Sequence, residues 1–173
     1  MDLFDAIGKR RSIRAYENKP VEKEKLQKLL ESANSAPSAG NLQGYDIVVV
    51  EDQKRKEALA EASWEQDFIA QAPVVLVFCA DAPRSAKKYE GRGTELYSVQ
   101  DATIACSYAQ LVATALGLGT VWIGAFEDEK VNKIINAPEG IRAVAILPVG
   151  YYLKDPSPRP RRDLKSLIVK EHF

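Results

Sequence analysis

Helical and strand-like patterns alternate along this chain, which predicts helices packed on a buried sheet. Apolar residues recur at helical spacing in several segments, and short β-branched runs lie between them. Of the 173 residues, 46% are apolar, enough to bury a core for one domain spanning 1–173.

The elements follow in order. Residues 2–9 read as a short helix with Leu3, Phe4 and Ile7 on one side. Residues 22–35 read as a second helix, in which Leu26, Leu29, Leu30 and Ala33 repeat at helical spacing just beyond Pro20. The run Ala36-Pro37-Ser38-Ala39-Gly40-Asn41 is made of turn formers and predicts a loop. Tyr45 to Val50 and Val74 to Ala80 are apolar on both faces, as expected of strands inside a sheet, with an amphipathic helix at 54–62 between them. Residues 97–116 form the longest helix. From Val99 to Leu116 its apolar and small residues cover most of the circumference, which predicts burial all round, at the core centre or a subunit interface. Gly117 ends it. A third strand is expected at 120–123, a helix at 130–135 and a fourth strand at 143–150. Beyond Tyr152, Lys154-Asp155-Pro156-Ser157-Pro158-Arg159-Pro160 is too proline-rich for an interior element and predicts an extended tail over a surface.

Composition excludes several classes of function. With 24 basic and 24 acidic residues the formal charge is zero, which argues against nucleic acid or an anionic membrane as partner. No run approaches the roughly 20 apolar residues of a membrane span, and Met1 to Asp5 lacks a basic, then apolar, leader; a cytoplasmic protein is expected. Cys79 and Cys106 lack the Cys/His spacing of zinc sites, so no metal is expected, and they read as buried small hydrophobes. His172 is the only histidine and stands one residue from the end, which leaves no basis for a Ser-His-Asp or Cys-His hydrolase. Gly117-Leu118-Gly119 is no dinucleotide fingerprint. Trp122 occupies the third glycine's place, and the segment closes a helix and opens a strand rather than the reverse. An enzyme with this inventory would rely on a cofactor for its reactive atoms.

Two cationic patches point to that cofactor's chemistry: Arg10-Arg11-Ser12-Ile13-Arg14 and Arg159-Pro160-Arg161-Arg162. The guanidinium fork suits phosphate oxygens, and Ser12 can add a hydroxyl bond. On a neutral chain, two such patches suit a small phosphorylated ligand better than a polyanion. The alternative from the residues alone is solvated charge at the negative end of the first helix.

Four segments carry a family resemblance: Arg-Arg-Ser-Ile-Arg-Ala-Tyr at 10–16, Ala-Pro-Ser-Ala-Gly-Asn-Leu-Gln at 36–43, Ala-Leu-Gly-Leu-Gly-Thr-Val-Trp-Ile-Gly at 115–124 and Pro-Arg-Arg at 160–162. In this order they resemble the signature segments of the nitroreductase family of FMN-dependent oxidoreductases. The resemblance implies an α+β sandwich, a mixed central sheet flanked by helices, assembled as a homodimer with FMN at the interface, where the helix at 97–116 forms the dimer's centre. It implies that Arg10, Ser12 and Arg161 hold the FMN phosphate, assisted by Arg11 and Arg159. Arg14 would face the pyrimidine edge, where a cation stabilises charge building at N1 and O2. The Gly124 backbone N–H would address flavin N5, and Ile123 and Ala125 would line the ring. Pro37, Ser38 and Asn41 would come from the partner subunit, while Gln43 and Gln66 are either ring-edge contacts or ordinary loop polars. Tyr89, Tyr97 and Phe126 are candidates for the pocket wall or for the core.

The chain departs from the family in two places. Only about fifteen residues, Asp81 to Glu95, separate the second strand from the long helix, where relatives often carry more, and the glutamate often found before the N5 glycine is replaced by Ile123. The activity implied is ping-pong transfer of hydride from NADH or NADPH, through the flavin, to a nitroaromatic, quinone or similar acceptor. The alternatives are an FMN-binding protein without turnover and a specialised relative that fragments flavin or dehalogenates an aromatic ring. A nucleic-acid module using the arginine patches is a third class, one that predicts no flavin colour and steep salt dependence.

Overall fold

The computed structural model describes residues 1–154 and 156–173; Asp155, within the segment expected to be extended, lies outside them. Four strands form one sheet in the order β1-β2-β4-β3: β1 (Tyr45–Val50), β2 (Val74–Asp81), β3 (Gly119–Thr120) and β4 (Ile141–Gly150). The ladders between these strands are all antiparallel, where a mixed sheet was expected, and an isolated parallel bridge joins Ser12 to Thr120.

Strand alternation divides the core into two layers. Val74, Leu76 and Phe78 of β2 face α2 (Lys23–Asn34) and α6 (Ser98–Ala115), where they meet Leu29, Ala33, Ala105, Cys106 and Ala109. Val75, Val77 and Cys79 face the opposite layer, built from α3 (Gln53–Ala62), α4 (Phe68–Gln71) and α7 (Asp128–Ile134). In β4 the register jumps so that Phe78 opposes Ala145 while Cys79 opposes Ala143. That bulge puts Val144 and Ala145 on the α2/α6 side and leaves Ala143 and Ile146, three residues apart, in the other layer. The result is the expected α+β sandwich. Cys79 and Cys106, both free, lie in different layers.

Local signals account for the helix starts. Asp2 caps α1 (Leu3–Lys9) by accepting the Asp5 N–H, Asp52 caps α3 through Arg55, and Asp81 caps α5 (Ala82–Arg92) through Arg84. The helices α4 and α5 lie outside the sequence expectations. The first is a single turn, and α5 is largely polar, its start marked by Asp81 and by Pro83 in the first turn.

Three expectations are corrected. β1 is not buried on both faces. It is the sheet edge with one neighbour, β2, and its Val49 is 39% exposed. The helix expected at 97–116 is present as α6, preceded by a π-helical turn at Gly93–Tyr97, but it is not buried all round. In the isolated chain α6 is buried on one side only, through Ala102, Ala105, Cys106, Ala109 and Ala113, whereas Tyr108 on the outer side is 42% exposed. The third strand stops at Thr120, and Ile123 forms an isolated bridge to Ile146 as the chain turns away.

Truncation should separate the layers of this core from its edge. Phe78→Ala, at a fully buried central position, should lower stability by about 3–5 kcal/mol in denaturant titration, against about 1 kcal/mol or less for Val49→Ala. Burial pushes the Cys79 thiol up to about 12 from its ordinary 9.0 and also raises that of Cys106. Both thiols stay protonated in the folded chain while the unfolded chain ionises. Stability should therefore be intact below about pH 9 and fall progressively as pH rises toward 12, and alkylation at pH 8 should require unfolding.

Candidate functional site

The first arginine patch is held against the sheet by backbone pairing. The Ile13 N–H donates to Thr120 O at 2.9 Å, and the Ile13 side chain, 4% exposed, enters the core. Gly119 makes this approach possible. A Cβ there would stand 2.6 Å from Tyr152 Cδ1 and 2.7 Å from Ile13 Cγ1. Two residues earlier, Gly117 closes α6 at φ 76°, where a side chain would be strained. The glycines of this segment thus serve a helix stop and a close strand approach rather than a phosphate loop.

The C-terminal segment crosses in front of the same patch, and the two together enclose a cavity of about 580 Å³. Its lining includes Arg10, Arg11, Ser12, Arg14, Arg159 and Arg161, with Ile7 and Gly8 from α1 and Pro156 and Pro158 from the tail. The two patches, some 150 residues apart in sequence, are therefore halves of one pocket. None of the four ion pairs among the described residues involves these arginines. Burial, and the positive charges of Arg161 and Arg11, hold the Arg10 guanidinium below its ordinary range. The Ser12 hydroxyl makes no hydrogen bond among the described residues. Such a donor set suits an anion.

Not every arginine is equally free. Arg11 donates from Nη1 to Gly8 O at 2.7 Å and Arg10 O at 2.9 Å, which satisfies carbonyls at the end of α1 as the solvated-charge alternative supposed. Arg162 turns away to Ser166, in a 3₁₀ turn at Leu164–Ser166. Arg14 is exposed, with its guanidinium carbon 6.0 Å from the centre of the Phe68 ring, which links the cavity to the segment at 66–68. There Gln66 donates from Nε2 to Ser63 O at 2.8 Å and reaches Ala125 O at 3.5 Å. The neighbouring Ile123 exchanges backbone bonds with Ile146, while Gly124 is exposed and its N–H makes no hydrogen bond among the described residues.

The loop at 36–44 is not part of this cavity. Pro37 is exposed, Ser38 Oγ accepts from the Gln43 N–H at 2.9 Å, and Gln43 Nε2 also donates to Asn41 O and Oδ1. The loop contains a 3₁₀ turn, Ala39–Asn41, and packs against α5 and α6. Tyr89 and Tyr97 form an edge-to-face pair at 5.0 Å; a Cβ on Gly40 would collide with the Tyr89 hydroxyl, so this pair walls the loop and not the arginine cavity. Phe126 belongs to the core. Sequence reading passed over Phe68, whose only signal is its place after Gln66, and Asp101, the sole charged residue of α6.

The family model for the nitroreductase family matches residues 7–66 and 61–151. The chain belongs to the nitroreductase family. An FMN reductase [NAD(P)H] of Bacillus subtilis is 32% identical over 185 residues, covering 99% of this chain and 74% of its own length. Among solved structures, NfrA2 of B. megaterium superposes with a TM-score of 0.92 at 32% identity, covering 100% of this chain and 76% of that one. The NADPH:FMN oxidoreductase of Vibrio harveyi complexed with NAD+ gives 0.91 at 26% identity, covering 99% and 77%.

The tight contact at Gly119 yields a direct check. Gly119→Ala should cost about 1–3 kcal/mol by overpacking and loosen the 12–14 segment. Gly124→Ala, whose Cβ would meet nothing nearer than Trp122 Nε1 at 3.5 Å, should leave stability within about 0.5 kcal/mol. Thermal and denaturant midpoints measured side by side decide it.

Proposed function

We propose that this chain is a single-domain, FMN-dependent NAD(P)H oxidoreductase of the nitroreductase family, cytoplasmic and homodimeric. The observation that carries the reading is the arginine cavity, whose described lining residues include no carboxylate and in which Arg10 lies close enough to Arg11 and Arg161 to be destabilised by them. A dianionic phosphate relieves that repulsion and gains charge-assisted bonds. Arg10, Ser12 and Arg161 hold the FMN phosphate, with Arg159 beside them and Arg11 contributing through the guanidinium nitrogens that do not cap α1. Arg14, braced on Phe68, sets a positive charge beside the ring's pyrimidine edge. The exposed Gly124 N–H is a free donor for N5, and Ile123 and Ala125 flank it.

Bound there, FMN would supply two-electron chemistry at N5 between NADH or NADPH and a nitroaromatic, quinone or similar oxidant, in a ping-pong sequence. The chain's own part is to anchor the phosphate, orient the ring and offer a cation and an N–H donor where electron density rises.

Apolar surface supports the dimer. Leu3, Phe4 and Ile7 of α1 and Leu167, Ile168 and Phe173 of the tail are all exposed in the isolated chain, as is Tyr108 of α6. A second copy covers these faces. In that assembly the loop at 36–44 supplies Pro37, Ser38 and Asn41 to the partner's flavin, and Gln43 stays in its own loop.

Replacing Arg10 or Arg161 with Ala removes a bond worth roughly 1.5–3 kcal/mol. FMN should then bind at least about ten-fold more weakly in a fluorescence-quenching titration, with a shallower dependence on ionic strength. Parent-like affinity in both variants contradicts the phosphate site. Sedimentation should give twice the 19.1 kDa chain mass, and Phe4→Glu combined with Ile168→Glu should shift it toward monomer and release FMN; a monomeric parent that holds FMN tightly contradicts the shared site.

A further inference from the structure

Asp101 is the one charged residue in α6, and it is only 2% exposed. Its Oδ1 accepts the Ala39 N–H at 2.8 Å and its Oδ2 the Gly44 N–H at 3.2 Å. No ion pair among the described residues compensates it. A carboxylate out of water without a cation is costly unless backbone donors satisfy it, and here both donors belong to the same loop.

Those two amides bracket Gly40 to Gln43, the strained part of the loop. Gly40, Asn41 and Gln43 have φ of 57°, 57° and 47°, and for the last two this is a sparsely populated region that surrounding structure must enforce. Two further contacts help: Ser38 Oγ accepts the Gln43 N–H, and Arg84 Nε donates to Leu42 O at 2.5 Å. Both act on residues between the Asp101 anchors. Gly44 is fitted to the carboxylate as well, since a Cβ there would lie 3.0 Å from Asp101 Oδ2 and 3.3 Å from Ser85 Cβ. The charge of Asp101 also raises the Tyr45 hydroxyl, second to burial, and Tyr45 Oη ties the start of β1 to Ala33 O at 2.8 Å.

We infer that Asp101 is a positioning residue: from α6 its carboxylate clamps both ends of the strained loop and so sets Pro37, Ser38 and Asn41 in the geometry that meets the flavin ring. The inference rests on the reading of that loop as a flavin contact. It assigns the ring end of the cofactor to Asp101, through the loop, and leaves the phosphate end to the arginines, so the two ends are separable by experiment.

Asp101→Asn keeps the size but turns one acceptor into a donor facing an N–H. FMN affinity should be measured at low and high salt, together with the visible circular dichroism of the bound flavin. The expected result is an affinity loss of about ten-fold or more, with the parent's ionic-strength slope and an altered flavin dichroism. A role confined to stability would lower the melting temperature and leave affinity and dichroism as in the parent; that result overturns the inference while leaving the FMN reading intact. If Asp101→Asn does not fold, Gly44→Ala presses the same contact without changing charge. It should show the same signature, and parent-like FMN binding in it overturns the inference. A parent chain that binds no FMN overturns the underlying reading and the inference with it.

Discussion

One backbone hydrogen bond, from the Ile13 N–H to Thr120 O, sets the N-terminal half of the cationic site against the sheet. It turns a flexible segment of like charges into an extension of the sheet and buries Ile13 beside Gly119, so that Ser12 and the arginines on either side are fixed relative to β3. The tail need only pass in front to close the cavity. Without that bond, the 10–14 segment would have no reason to concentrate charge against itself, because dispersal into solvent relieves repulsion. The energy that holds the arginines together is apolar: Ile13 in its pocket, and α1 docked on α6 through Ala6.

The same logic separates the two ends of the candidate site. At the phosphate end, positive charge is gathered with no counter-charge among the described lining residues. At the loop end, negative charge is buried on α6 and fully used by backbone donors. The first arrangement is under electrostatic tension and the second is satisfied, which suits a site where one part recognises an anion and another holds a shape. Both parts rest on a sheet whose β2 and β4 are buried on both faces over most of their length.

Much of this was legible in the sequence, and the failures have physical causes. Both arginine patches, the turn at 36–41 and the central strand β2 could be read because charge, turn formers and β-branched runs are local signals. The edge position of β1 was carried only by Asp46, a charge near the start of an otherwise apolar run, and by a pairing order that no local signal gives. α6 was read as apolar all round because its small residues give a weak amphipathic pattern, and the one residue that breaks the pattern, Asp101, acts on a loop some 60 positions away. α5 was harder to read because its periodic face is made of small and partly polar residues such as Ala82, Ser85 and Tyr89 rather than large apolar ones. Phe68 and Arg14 meet through the fold, with nothing in either segment to announce it.

The central claim is that the arginine cavity exists to bind a flavin that turns over with a nicotinamide nucleotide. The most direct test is the visible spectrum of the purified protein, reconstituted with FMN and titrated anaerobically with NADH or NADPH. A bound flavin band that bleaches with either nucleotide and returns on adding a quinone or nitroaromatic is the predicted result. Absence of a bound flavin band after incubation with FMN, or a bound band that neither nucleotide bleaches, would contradict it.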